Sequence, residues 1–348
     1  MYEIFTSCPT RIDLAGGTLD LWPIHHLIDD KATVNIAIDL TATVNISMRS
    51  DKHYKIKSID QNKTISGSYL QIVSAPDLPL ISLILKQVWD KNNSGLNISL
   101  SAGSPKGAGL GGSSALTIAS VSSLYSLLKK LGKQDYQNID NKNYVAAAQN
   151  IEARLIHSPT GLQDYWASIK GGVNLIDYSL SEPHVLTLPQ ELLGDLDKHI
   201  IVCYSGQSRA SADNNWHIYK KVFEKDSQAM EHLQQIGIFA KKCATAMQNK
   251  DILEALSFSE KEWQIRTSLW PDIETQATKN ITNLAKRAGA IFSRVCGAGG
   301  GGCMVVICHP EDKINISNYL TKNGIQVLQT SATYHGLKFR LKSMSLTV

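Results

Sequence analysis

The run Ser104-Pro105-Lys106-Gly107-Ala108-Gly109-Leu110-Gly111-Gly112-Ser113-Ser114-Ala115 constrains this 348-residue chain more than any other segment. Four glycines in the six positions 107–112 leave the backbone bare, so its N–H groups can close around an anion. A strand-like stretch, Leu96–Leu100, precedes the run. An apolar-periodic helix follows it, with Ile118, Val121, Tyr125 and Leu128 on one face. A glycine loop feeding a helix N-terminus is a phosphate site, because orphan N–H donors and the positive dipole end converge there. Ser113 or Ser114 can cap the helix, leaving the other hydroxyl for a phosphate-bound metal ion.

Gly107-x-Gly109-x-x-Gly112 also satisfies the dinucleotide-binding fingerprint, and so does Gly297-x-Gly299-x-x-Gly302. That fingerprint needs an acidic residue about 20 positions on, closing the next strand. After Gly112 the chain instead reads Lys129-Lys130-Leu131-Gly132-Lys133-Gln134-Asp135, a helix end and a polar loop. After Gly302 comes a strand, Cys303–Cys308. No Gly-Lys-Ser/Thr follows the glycines, which excludes a Walker loop.

Pro105 through Ala115 resembles the phosphate loop of the GHMP kinases, the small-molecule kinases related to galactokinase, homoserine kinase, mevalonate kinase and phosphomevalonate kinase. Two further segments carry the resemblance. Cys8-Pro9-Thr10-Arg11-Ile12-Asp13-Leu14-Ala15-Gly16-Gly17-Thr18-Leu19-Asp20 is similar to the family's first motif, and its wording is nearest to the branch of heptose-7-phosphate kinases and fucose kinases. Cys296-Gly297-Ala298-Gly299-Gly300-Gly301-Gly302-Cys303 resembles the third motif. Gly161-Leu162-Gln163-Asp164 and Ala167-Ser168-Ile169-Lys170-Gly171-Gly172 match the same branch. The resemblance implies ATP on residues Pro105 to Ser114, a magnesium ion on Ser114 and Glu152, and Asp164 facing the acceptor hydroxyl. Asp20 would hold sugar hydroxyls, with Gly17, Thr18, Gly299 and Gly300 at the same substrate site. An Asp that orients or deprotonates the nucleophile suits phosphoryl transfer, which is mostly positioning and charge neutralisation.

Each of these residues also has a plainer reading. Glu152 alone would be an exposed helix partner of Arg154 or Lys142, and Asp164 the N-cap of a helix over Tyr165–Lys170. Arg11 either sits beside Asp164, stabilising the transferring phosphoryl group, or pairs with Asp13 or Asp20. Tyr165, directly after the candidate base, is placed to narrow the acceptor pocket. Ser205-Gly206-x-x-Arg209 resembles a branch segment in which Arg209 would bind a phosphate already on the substrate or brace the loop.

A hydrophobic content of 43% and a charged content of 19% describe an ordinary globular protein long enough for two domains. The net charge of +4 suits anionic substrates but falls far short of a nucleic-acid footprint. No apolar stretch reaches membrane-spanning length and no signal peptide opens the chain, so a cytoplasmic enzyme is expected. The six cysteines form no Cys-x-x-Cys pair and read as reduced, buried small residues. Strand-like segments fall at 32–38, 41–49, 53–58, 96–100 and 173–178, with helices at 80–91, 114–130 and 144–157. The second half opens with a strand at 199–204, is helix-rich over 212–289, and closes with strands at 290–295, 304–308, 326–329 and 337–342.

This mixture without βαβ repetition reads as α+β. The polar stretch Ser179–His184 suggests a division into domains 1–182 and 183–348. The resemblance adds a ribosomal-protein-like first domain with a left-handed βαβ crossover and a ferredoxin-like second. His25-His26 reads as a solvated pair, Trp22 as a buried or half-buried loop residue, and Trp216 and Trp270 as helix-packing residues.

The expectation is an ATP- and Mg2+-dependent sugar kinase resembling the heptose-7-phosphate kinases, acting on a sugar or sugar phosphate at the anomeric hydroxyl. It would need neither nucleic acid nor membrane, and the sequence leaves its oligomeric state open, a homodimer included. The rivals are a fucose-1-kinase-like enzyme, a mevalonate-type kinase, a catalytically silent sensor on the same scaffold, and a hydride-transfer enzyme.

Overall fold

The computed structural model describes residues 1–178, 182–207 and 211–343. The first motif is the end of a 14-residue strand, β1 (Tyr2–Ala15). It runs antiparallel to β2 (Ala32–Met48), in which the two strands expected at 32–38 and 41–49 are continuous. From Cys8 onward β1 is buried at every position. A strand covered on both faces loses the alternation by which strands are recognised, which is why this one was hidden in the sequence.

Next come β3 (Tyr54–Ser58), β4 (Lys63–Gly67), α1 (Tyr69–Val73), α2 (Pro79–Val88), β5 (Leu96–Ser101) and α3 (Gly112–Lys130). They are followed by α4 (Asn141–Ile156), α5 (Gln163–Lys170), β6 (Val173–Asp177) and β7 (His184–Thr187). The second half holds α6 (Gln190–Lys198), β8 (Ile200–Tyr204), α7 (Ser211–Phe223), α8 (Ser227–Gln248), α9 (Ile252–Leu269) and α10 (Gln276–Arg287). It ends with β9 (Phe292–Val295), β10 (Cys303–Ile307), α11 (Lys313–Lys322), β11 (Gln326–Val327) and β12 (Lys338–Ser343).

The large sheet has the order β12-β1-β2-β5-β3-β4, with β6 paired to β2 and β7 to β6. Among the described strands only β3 and β5 pair in parallel, and α1 and α2 lie in the connection between them. The smaller sheet is β11-β8-β10-β9, antiparallel throughout. Two strands from beyond residue 182, β7 and β12, thus belong to the first sheet. The halves also share a core, in which Ile12, Leu14, Val34 and Ile36 meet Cys243, Met247, Leu256 and Val305.

Helix α3 is more deeply placed than its single apolar stripe suggests, being buried on all sides from Ser114 to Leu124. Its hydroxyls can enter the core because they bond back to the preceding turn. Thr117 Oγ1 donates to the Ser113 carbonyl at 2.9 Å, Ser120 to Leu116 at 2.8 Å and Ser123 to Ala119 at 2.7 Å.

All six cysteines are free and buried. Two tryptophan readings need correction, since Trp22 and Trp216 are each 60% exposed; Trp270 packs as expected, half-buried and stacked on His217 with centroids 4.6 Å apart. His25 is buried rather than solvated and stacks on Tyr178 with centroids 5.0 Å apart. Burial lowers its pKa to about 4, so the ring is neutral near neutral pH.

Candidate active site

A cleft of about 770 Å³ runs from the glycine loop before α3 to the turn after β1. Gly111, at φ +74°, is the N-cap of α3, so neither serine caps the helix. Both serines turn instead to α4. Ser113 Oγ donates to Glu152 Oε1 at 2.5 Å and Ser114 Oγ to Glu152 Oε2 at 2.7 Å. Glu152 is therefore no exposed helix partner. It is buried, and Lys142 pairs with Glu182 instead. Desolvation raises the Glu152 pKa, against the pull of its hydroxyl donors.

Helix α5 begins one residue before Asp164, with Leu162 at its N-cap and no side-chain cap. Asp164 is free of the capping role and faces Arg11. The Arg11 Nε donates to Asp164 Oδ1 at 2.7 Å, and Nη2 lies 2.5 Å from the same oxygen. Nη1 of the same guanidinium donates to the Gly109 carbonyl at 2.6 Å. Burial opposes the charge on Arg11, yet Asp164 and Asp13 hold it above its ordinary pKa. Of the two readings of Arg11, the structure shows the one beside Asp164.

Asp20 is buried at the other end of the cleft, where its Oδ2 accepts from the Gln163 N–H at 3.3 Å. Desolvation and the neighbouring Asp164 raise its pKa to about 6. Gly161 leaves room for it, since a Cβ there would collide with the Asp20 carboxyl. Thr18 also lines the cleft, buried and at φ +84°, a region where β-branched residues are rare.

The third motif packs its backbone directly on the phosphate loop. A Cβ on Gly109 would stand 2.6 Å from the Cys296 carbonyl oxygen, and one on Gly297 would stand 2.8 Å from that of Gly109. The Cys303 N–H donates to the Ala108 carbonyl at 2.7 Å. Gly297 and Ala298 reach the cleft, but Gly299 and Gly300 pack on Ile273 and do not line it. Gly17 lies under the Arg266 guanidinium and is likewise absent from the lining. Tyr165 does not narrow the acceptor pocket, because its hydroxyl turns inward and donates to Glu152 Oε2 at 2.6 Å. Arg209 lies outside the described residues.

Sequence reasoning missed the network behind the cleft. Asp13 Oδ2 is 2.9 Å from Arg266 Nη1 and 3.2 Å from Arg294 Nη2, and its Oδ1 accepts from the Gly297 N–H at 2.9 Å. Glu262 completes it, 2.9 Å from Arg294 Nη1. The cations pull the Asp13 pKa down to about 2 despite burial. The one available signal was spacing, since a two-residue strand period places Asp13 beside Arg11.

Glu152 and Ser114 fit a magnesium ion. A buried carboxylate with only hydroxyl donors around it lacks a cation, and among the described residues no cluster of three His, Cys, Asp or Glu offers a zinc-type site.

Comparison with known proteins places this geometry. Residues 80–172 match the model of the GHMP kinases N terminal domain, and residues 267–326 that of the GHMP kinases C terminal domain. The chain carries both domains of a GHMP kinase. Among the curated GHMP kinase relatives, the D-glycero-alpha-D-manno-heptose 7-phosphate kinase of Campylobacter jejuni is 26% identical, covering 97% of this chain and 99% of its own length. The mevalonate kinase of Pyrococcus furiosus is 23% identical over 97% of this chain and 98% of its own. A solved D-glycero-D-manno-heptose 1-phosphate kinase from Bacteroides thetaiotaomicron superposes with a TM-score of 0.76 at 18% identity, covering 98% of this chain and 100% of that one. The two-domain α+β architecture is that of the GHMP kinases, and as one of them the protein is an ATP-dependent phosphotransferase. No helix among the described residues is long and apolar enough to cross a membrane.

Proposed function

We propose that the protein is an ATP- and Mg2+-dependent sugar kinase that phosphorylates the anomeric hydroxyl of a heptose 7-phosphate. The observation that carries this reading is the Asp164 carboxylate, held by Arg11 between the glycine loop and Asp20. In that position Asp164 accepts the acceptor's hydroxyl proton as its oxygen bonds to the γ-phosphorus and the bond to ADP breaks. Arg11 keeps the carboxylate on the cleft side of the loop, and its guanidinium stabilises charge on the group in transfer. Asp20 accepts hydrogen bonds from sugar hydroxyls. The glycine-loop amides hold the phosphates, and Ser114 and Glu152 would hold magnesium, which when bound neutralises phosphate charge. The division of the chain near residue 182 remains part of this reading, with the phosphate loop and Asp164 in the first domain.

One observation favours a free-sugar, fucose-type acceptor as the second reading. At the Asp20 end of the cleft the lining cations among the described residues, Arg11 and Arg266, are already paired with Asp164 and Asp13. The test is ADP release from ATP and Mg2+ with heptose 7-phosphate, fucose, galactose and mevalonate offered separately. Turnover confined to heptose 7-phosphate supports the first reading. Turnover on fucose moves the protein to the second, and silence on all four removes both.

A further inference from the structure

Tyr165 follows the candidate base in sequence, yet it does not line the cleft, and its hydroxyl meets two residues that do. It lies 2.6 Å from Glu152 Oε2 and 3.0 Å from Thr160 Oγ1. A phenol has one hydrogen to give. The shorter contact, to the carboxylate, takes it, and the Thr160 hydroxyl then donates to the phenol oxygen. The result is a directed chain, Thr160 to Tyr165 to Glu152. Tyr165 is buried, as is Glu152, and among the described residues no other polar side chain bonds this phenol.

The far end of the chain is the acceptor loop. Thr160 lines the cleft, and Gly161 beside it bridges Leu21 and sits against the Asp20 carboxyl. The Leu162 N–H donates to the Asp20 carbonyl at 3.3 Å. One buried hydroxyl therefore joins the carboxylate placed for metal to the segment that shapes the sugar end of the site.

We propose that Tyr165 is a positioning residue that couples occupancy of the Glu152–Ser114 site to the ordering of the acceptor loop, residues 158–162. The inference rests on the reading of Glu152 and Ser114 as cation ligands. With Tyr165 and Ser114 both donating to Oε2 and Ser113 alone to Oε1, the phenol sets the tilt of the carboxylate. Fixing the carboxylate then fixes the phenol, and the phenol fixes Thr160. Tyr165 needs no contact with either substrate to do this.

The test uses the full chain with Mn2+ and a non-hydrolysable ATP analogue. Bound Mn2+ is counted by electron paramagnetic resonance, and amide exchange is followed in the peptide spanning 158–162. In the parent, adding Mn2+ to the analogue complex is expected to slow exchange in this peptide about tenfold. Tyr165→Phe is expected to weaken Mn2+ binding about tenfold and, at saturating Mn2+, to lose the extra protection. Thr160→Val is the sharper variant, because it leaves all three donors on Glu152. It should keep parental Mn2+ affinity and still lose the protection. Retained protection in either variant overturns the coupling, as does a parent loop indifferent to bound Mn2+. A parent that binds no Mn2+ with the analogue overturns the Glu152 reading itself, and the inference with it.

Discussion

Two sets of carboxylates lie side by side in this molecule and differ in how many cations they meet. Asp13 and Glu262 face Arg266 and Arg294, two anions against two cations; the Asp13 pKa falls to about 2, while burial still raises that of Glu262. Of Asp20, Glu152 and Asp164, Asp164 alone forms an ion pair among the described residues, with Arg11. There Asp20 is pushed up to about 6 and Glu152 is raised as well. The balanced set braces strand β1 against α9 and the third motif. The unbalanced set holds acceptor oxygens in a site short of positive charge, which a metal–nucleotide complex and sugar hydroxyls would complete. Burial acts on both sets, and the presence of paired cations separates the brace from the site.

The comparison breaks first at Asp164. Asp164→Asn should lower kcat about 10³-fold while leaving an oxygen for Arg11, so that stability drops by only about 1 kcal/mol. Near-parental turnover in steady-state assays would remove Asp164 from the chemistry. Arg294→Met strikes the other set, stranding Glu262 and half of Asp13 without their cation. A loss of about 4 kcal/mol in urea unfolding is expected, with the surviving folded fraction active. A loss under about 1 kcal/mol would mean the network is no brace.

Asp20→Asn should do the reverse, stabilising the fold while raising the acceptor KM. The Asp20 pKa moves from 3.8 to about 6 on folding, so ionising it in the folded protein costs about 3 kcal/mol near neutral pH. Its contribution falls as pH rises from about 4 to about 6, and the advantage of the Asn variant vanishes below about pH 4. Asp13 has the opposite sign: its stabilisation is present above about pH 4 and is lost as pH falls through about 2. Unfolding followed from pH 3 to 7 in parent and variant separates the two slopes. The smallest effect is at Thr18, held in the left-handed region at φ +84°. Thr18→Gly should gain about 1 kcal/mol in thermal unfolding and lose activity, and a lower melting temperature would show that the turn carries no strain.

Much of the site was legible because its residues sit in short motifs whose chemistry is local. A glycine run before a helix, or an Arg two residues from an Asp, can be read without knowing the fold. Asp13 could not be read fully, since its partners Arg266 and Arg294 lie 253 and 281 positions away in segments with no motif of their own. Glu152 taken alone reads as a surface residue because α4 is weakly patterned; the resemblance set it with Ser114, and the fold adds Ser113 and Tyr165. Strand β1 was missed for the same kind of reason, its inner half being covered on both faces. The serines at the start of α3 misled because a left-handed glycine had already taken the cap.

The contact between Gly109 and Gly297 also bears on how the protein is made. The phosphate loop leaves the ribosome almost two hundred residues ahead of the backbone that supports it, and strand β1 waits longer still for its neighbour β12. A nascent chain halted before residue 290 would hold every nucleotide-contacting residue proposed here, yet lack the floor beneath the loop. Such stalled chains are expected to let ATP-agarose pass, and the full-length chain to be retained. Binding competence would then arrive late in synthesis, as a property of the finished polypeptide.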